Sequence, residues 1–183
     1  MDVLIRRLSS YNILNCLLPG SLFAVAVDPI TSYDLVQDDI VVGLFVYYFI
    51  GLVISRIGSL IVEPVLKTVK FITFADYGHF VKASQDDPKI DVLSETNNMY
   101  RTLCAFLLIL LAVVLSVQSE PLIVWYMEGF PPIIGISLLL AMFLFSYRKQ
   151  TAFICERVNQ STKGELSSPE SGGRMSEGCA RSS

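Results

Sequence analysis

Apolar residues along this chain gather into four blocks separated by polar and charged connections. The first runs from Tyr11 to Val27 and the second from Ile40 to Ile54, the latter without one charge. The third runs from Leu103 to Val117, and the fourth from Ile133 to Phe145, extensible to Tyr147. Each is shorter than the ~20 apolar residues that cross a bilayer as a helix. Length alone therefore leaves buried helices of a soluble protein open, and the flanks carry the decision. If the blocks are spans, residues 1–10, 55–102 and the chain from Arg148 onward share one side, and 28–39 and 118–132 share the other. All 14 Lys and Arg residues fall on the first side. The second carries only acidic charges: Asp28, Asp34, Asp38, Asp39, Glu120 and Glu128. Basic residues mark the cytoplasmic side of a membrane protein, and a soluble helical protein has no reason to sort them so. The pattern predicts an all-α chain of four transmembrane helices with both termini cytoplasmic. The first block is not read as a cleaved signal peptide, because it leads into Asp28-Pro29 and three more spans follow. Pro19-Gly20 in its middle predicts a kink or break, since proline frees the carbonyl four residues earlier, at Asn15.

The connection 55–102 is too long for a turn and too short for an independent domain. Steps of about 100° per residue from Arg56 place Ser59, Glu63, Lys67 and Lys70 in one stripe about 80° wide. Ile54, Ile61, Val65, Val69 and Ile72 fall opposite, so the second span should continue as an amphipathic helix with a bend at Pro64. A further helix is expected from Phe74 to Ser84. Asp87 then suits an N-cap and Pro88 a first helical position, opening a helix that runs through Arg101 into the third span. The fourth span should continue through Arg148–Val158. Beyond Asn159 the chain is rich in Ser, Gly and Glu and lacks aromatics, and is expected to be disordered. The reading is thus one transmembrane helical domain, 1–158, with a small helical cap at 55–102, and a tail at 159–183.

Composition narrows the function. A mean hydropathy of +0.54, a net charge of −3 and a pI near 5.1 speak against a disordered or a nucleic-acid-coating chain. His79 is the only histidine, and no metal-ligand spacing, Walker loop, dinucleotide fingerprint or nucleophile elbow occurs. No catalytic residue, metal or cofactor is expected, and the chain is not read as an enzyme. The four cysteines lie in spans or on the reducing side, so no structural disulfide is expected. The polar stripe of the second span extends upward through Leu52, Phe49, Phe45 and Val42. Around a symmetry axis, Arg56, Ser59 and Glu63 would line a wet vestibule and Phe45, Phe49 and Leu52 an apolar gate. An intramolecular ion-pair set, with Arg56 reaching lipid phosphates, fits the same residues. Gly51, Ser55 and Ser59 permit close helix approach. Tyr11, Asn12 and Asn15, and separately Asn97, Asn98 and Arg101, suit hydrogen bonding between helices; a ligand role for Asn97, Tyr100 and Arg101 is the weaker alternative. Lys67, Lys70, Lys82, Lys89 and Arg101 offer contacts for a cytoplasmic anion, although positive-inside sorting explains them equally well.

The strings Asn15-Cys16-Leu17-Leu18-Pro19-Gly20, Tyr48-Phe49-Ile50-Gly51-Leu52-Val53-Ile54-Ser55-Arg56-Ile57-Gly58-Ser59 and Ser94-Glu95-Thr96-Asn97-Asn98-Met99-Tyr100-Arg101 resemble small bacterial multi-pass membrane effectors of antiviral defence loci. One candidate group is the membrane effector of Hailong-type systems, paired with a nucleotidyltransferase. The resemblance covers residues 10–118. It implies a homo-oligomeric inner-membrane channel, for which a tetramer is expected, that depolarises the membrane during phage infection. A cytoplasmic nucleotide, oligonucleotide or partner enzyme would be the gating signal. The alternative is a non-conducting anchor or scaffold that recruits a soluble enzyme through residues 71–100.

Overall fold

A computed structural model describes the backbone of residues 2–31, 33–116 and 132–167, and side chains within 15–31, 33–116 and 133–161. The connection 118–132, the Tyr11–Asn12 patch and the tail beyond Ser167 lie outside the described residues or side chains. Every regular element among the described residues is helical. Helix α1 spans Asp2–Val27 and ends in a 3-10 turn, Asp28–Ile30. Helix α2 spans Ile40–Ile57, passes through a π-turn at Gly58–Val62 and continues as α3, Glu63–Thr68. Helix α4 is Tyr77–Asp86, α5 is Pro88–Ser116 and α6 is Pro132–Ser167. Three stretches of 29 residues, Ile40–Thr68, Pro88–Ser116 and Ile133–Ser161, are long and apolar enough to cross a membrane; α1 contributes a shorter apolar stretch, Asn15–Ile30.

Helix α5 is the centre of the packing. Thr102 to Leu107, Leu110 and Val114 are buried along it, with the α1–α2 pair on one side and α6 on another. Phe23 of α1 meets Phe106 edge-on at 6.4 Å between ring centroids, and Tyr100 meets Phe143 of α6 at 6.3 Å. By contrast, α2 and α6 leave much of their apolar length open: Ile40, Phe45, Phe49, Leu138 and Phe145 are all more than 60% exposed. Apolar surface on this scale needs a lipid or protein neighbour.

Of the kink or break expected from Pro19-Gly20, the break does not occur. It is helical throughout, with Pro19 fully buried. The partner helix lies against it there. A Cβ at Gly20 would overlap the Tyr47 carbonyl, and a Cβ at Gly51 would overlap the Cys16 carbonyl. Two antiparallel helices therefore touch backbone to backbone at two points one turn apart, a small-residue seam that packs α1 on α2 across its proline.

The acidic connection serves α1 and α2 directly. Asp28 accepts hydrogen bonds from the Leu35 and Val36 N–H groups, and Asp39 caps α2 by accepting from Val41 and Val42. Below α2 the expected continuation of the helix forms, but through a π-turn and as far as Thr68. In the π-turn the Glu63 N–H reaches back to the Gly58 carbonyl, five residues earlier, which inserts a residue into the helical register. The helix stops at Thr68 rather than Ile72, and Lys70 closes it in the left-handed region at φ 55°.

The cap follows the capping chemistry more closely. Asp76 accepts from the Gly78 and His79 N–H groups, so α4 starts at Tyr77 rather than Phe74. Asp87 and Pro88 open α5 as expected, with the Lys89 N–H donating to Asp87 Oδ1 at 3.0 Å. Asp87 Oδ2 also accepts from Arg157 Nε at 2.6 Å, tying α6 to the α4–α5 corner. Ala83, Ile90, Ile154 and Val158 form a small apolar core there. Helix α6 runs on past Asn159 to Ser167, where the composition predicts disorder.

The hydrogen bond from Arg157, reinforced by that from the Lys89 N–H, holds the Asp87 carboxyl below its ordinary value. A depressed folded value means the pairing is fully present above about pH 4 and is lost as pH falls through the lower value. Corrected for the intrinsic slowing of amide exchange in acid, protection of the α4–α5 corner should fall as the pH drops from about 4 toward 2 in the wild type. Asp87→Asn should exchange faster already at pH 6 and show less further change.

Candidate functional site

The predicted stripe is divided by the π-turn into two neighbouring groups. Above it, Phe45 and Phe49 are 71% and 66% exposed, Leu52 is half-buried and Arg56 is exposed. The half-buried Ser59 donates to the Ser55 carbonyl. Below it, Glu63 turns toward α5. Its Oε2 accepts from Arg101 Nη1 at 2.6 Å and its Oε1 from Lys67 Nζ at 2.7 Å. Lys67 also lies 4.3 Å over the Phe74 ring. Lys70, beyond the helix end, is exposed and joins neither group.

Arg101 joins the two groups. Together with Asn15 and Cys16 of α1, Tyr48, Leu52, Ser55, Arg56 and Ser59 of the α2 run, and Asn98 of α5, it lines a polar cavity of about 340 Å³. Among the described residues, three of its groups lack their usual partners. Asn15 is 7% exposed and its Oδ1 has no hydrogen-bond partner; neither has the buried Nε of Arg101. Among the described residues, Arg56 makes no ion pair or hydrogen bond through its side chain. Asn15 also stands four residues before Pro19, which has no N–H to offer its carbonyl.

Asn97 stands elsewhere. It is buried, and its Oδ1 lies 3.0 Å from the Thr151 hydroxyl of α6, which also reaches the Tyr147 carbonyl at 2.8 Å. Thr102 Oγ1 lies 3.3 Å from Ser55 Oγ and 2.9 Å from the Asn98 carbonyl. Asn97 thus fastens α5 to α6, while Asn98 and Arg101 face the cavity. A second groove of about 340 Å³ lies in the cap, lined by Lys67, Phe74, Tyr77, Phe80, Asn97 and Thr151 among others.

Sequence reasoning missed Tyr147 and Thr151. Tyr147 is fully buried with an unpartnered hydroxyl. Their spacing of four residues on one helix matched that of Asn97 and Arg101, and this was the available signal. No protein-family model, curated protein or solved structure matches this chain.

Proposed function

We propose that the protein is a homo-oligomeric membrane channel whose subunit crosses the bilayer four times, with both termini cytoplasmic and α2 along the conduction path. The supporting observation is the outer face of α2. Phe45 and Phe49 stand open on it and lead, on the same face, to Arg56, unpaired among the described residues, and its polar cavity. An apolar constriction beside a wet cationic vestibule is a recognised way to gate by dewetting. Helix α1 supplies the fourth crossing in this reading, and the segregation of Lys and Arg supports the orientation. Since one four-helix subunit encloses no wide aqueous path, the pore lies on a symmetry axis, for which we take a tetramer. The resemblance to defence effectors supplies the setting: a bacterial inner membrane, depolarised when a cytoplasmic nucleotide, oligonucleotide or partner enzyme favours the open state.

Purified wild-type protein should give discrete current steps in planar bilayers. Arg56→Glu should shift its permeability toward cations several-fold while the protein still assembles. Silence of the wild type in the presence of its cytoplasmic activator would overturn the channel. It would promote a non-conducting scaffold, a reading favoured by the cap groove, where Tyr77 is 80% exposed and Phe74 44%.

A further inference from the structure

The cavity between α1, α2 and α5 carries two arginines and, among the described residues that line it, no carboxylate. Arg56 faces it without a counter-ion. Arg101 also lines it, and the carboxylate that Arg101 meets, Glu63, is shared with Lys67. Two arginines thus face a cavity whose described lining holds no carboxylate. Hydroxyls of Ser55 and Ser59 and the amide of Asn98 complete the wall. Asn15 is buried there with its amide oxygen unpartnered. Rotating that amide by half a turn exchanges acceptor for donor without moving any heavy atom's position, so the same side chain serves an anion. The volume, about 340 Å³, is roughly ten times the ~30 Å³ share of one liquid water.

From these residues we infer that the cavity binds a phosphoryl group, a monoester or diester. Several donors converge from three helices around an arginine, which suits a tetrahedral oxyanion with several acceptor oxygens better than a lone halide. The group is carried by a phospholipid reaching in beside α2 or by a free phosphate compound. The inference rests on the membrane-embedded part of the proposed function and not on conduction.

The test uses the full chain, delipidated in a sugar-based detergent. Thermal unfolding and native mass spectrometry are recorded with phosphatidylglycerol, with diacylglycerol of the same acyl chains, and with inorganic phosphate against chloride at equal ionic strength. Phosphatidylglycerol should bind and stabilise while diacylglycerol does not. Arg56→Ala and, independently, Asn98→Ala should weaken that binding about tenfold, the loss expected for one charge-assisted hydrogen bond. Lys149→Ala, an exposed cation on α6 outside the cavity, should leave it unchanged. Stabilisation by inorganic phosphate as well would assign the site to the free group; stabilisation by the lipid alone would assign it to a headgroup. Failure of both phosphate probes, or equal binding by wild type and both cavity variants, would overturn the inference. Intact phosphate binding in a protein that never conducts would sink the channel and leave this site standing.

Discussion

Gly51→Ala is expected to be among the most damaging single-methyl additions in this protein. The new Cβ would overlap the Cys16 carbonyl, a backbone atom that cannot rotate away, so α1 and α2 would have to part along their whole seam. Overpacking of a rigid contact costs about 1–3 kcal/mol, and a clash with backbone belongs at the upper end. Gly20→Ala meets the Tyr47 carbonyl one turn away and should behave alike. Because both changes attack one seam, their effects should combine to less than their sum. Gly135→Ala is the control: nothing lies within 4 Å of a Cβ there, and alanine is the better helix former by about 1 kcal/mol. Detergent-solubilised variants followed by thermal or denaturant unfolding should therefore show two strong losses and one neutral or stabilised protein. Equal stability of all three would mean that α1 and α2 do not cross at Gly20 and Gly51.

The second large effect concerns the Glu63 cluster, where the order of losses is more telling than any one value. Glu63→Ala leaves Arg101, with a side chain only 16% exposed, without its carboxylate. Breaking a fully buried pair costs about 3–5 kcal/mol, and the residual exposure of both partners reduces this to about 2 kcal/mol. Arg101→Ala should cost less through electrostatics, since Glu63 keeps Lys67. Lys67→Ala should cost least, within about 0.5 kcal/mol, because that pair joins neighbouring turns of one helix and Lys67 is 47% exposed. Unfolding midpoints for the three variants check the order. A Lys67 variant weaker than the Glu63 variant would contradict the cluster.

These contacts mark where sequence reasoning reached and where it stopped. The hydropathy blocks located all four long helices because burial and lipid exposure both demand apolar side chains. Asp87-Pro88 marked the start of α5 because its chemistry is local. The stripe from Arg56 to Lys70 was half right. Steps of 100° assume uninterrupted α-helix, and the π-turn at Gly58–Val62 inserts one residue, which redirects Glu63 to Arg101, 38 positions later in the chain. The Asn97–Thr151 contact spans 54 positions, and no local pattern encodes such a partner. Pro19 suggested a break because its cost is local, whereas the Gly20–Gly51 seam that packs α1 on α2 across it is tertiary. The continuation of α6 to Ser167 is not one that composition alone reveals. The cavity was partly legible: Leu52, Arg56, Ser59 and Arg101 were all singled out in advance. Their convergence with Asn15 and Asn98 required the fold.

The channel account turns on whether current passes along α2. The direct measurement is substituted-cysteine block in a background where Cys16, Cys104, Cys155 and Cys179 are replaced. A single cysteine at Phe49 or, as control, at Leu138 on the open face of α6 is treated during bilayer recording with a charged, water-borne thiol reagent. The account predicts that current through Phe49→Cys falls when the reagent is added and that Leu138→Cys conducts unchanged. Undiminished current at Phe49→Cys with block at Leu138→Cys would place the path on α6 and contradict it.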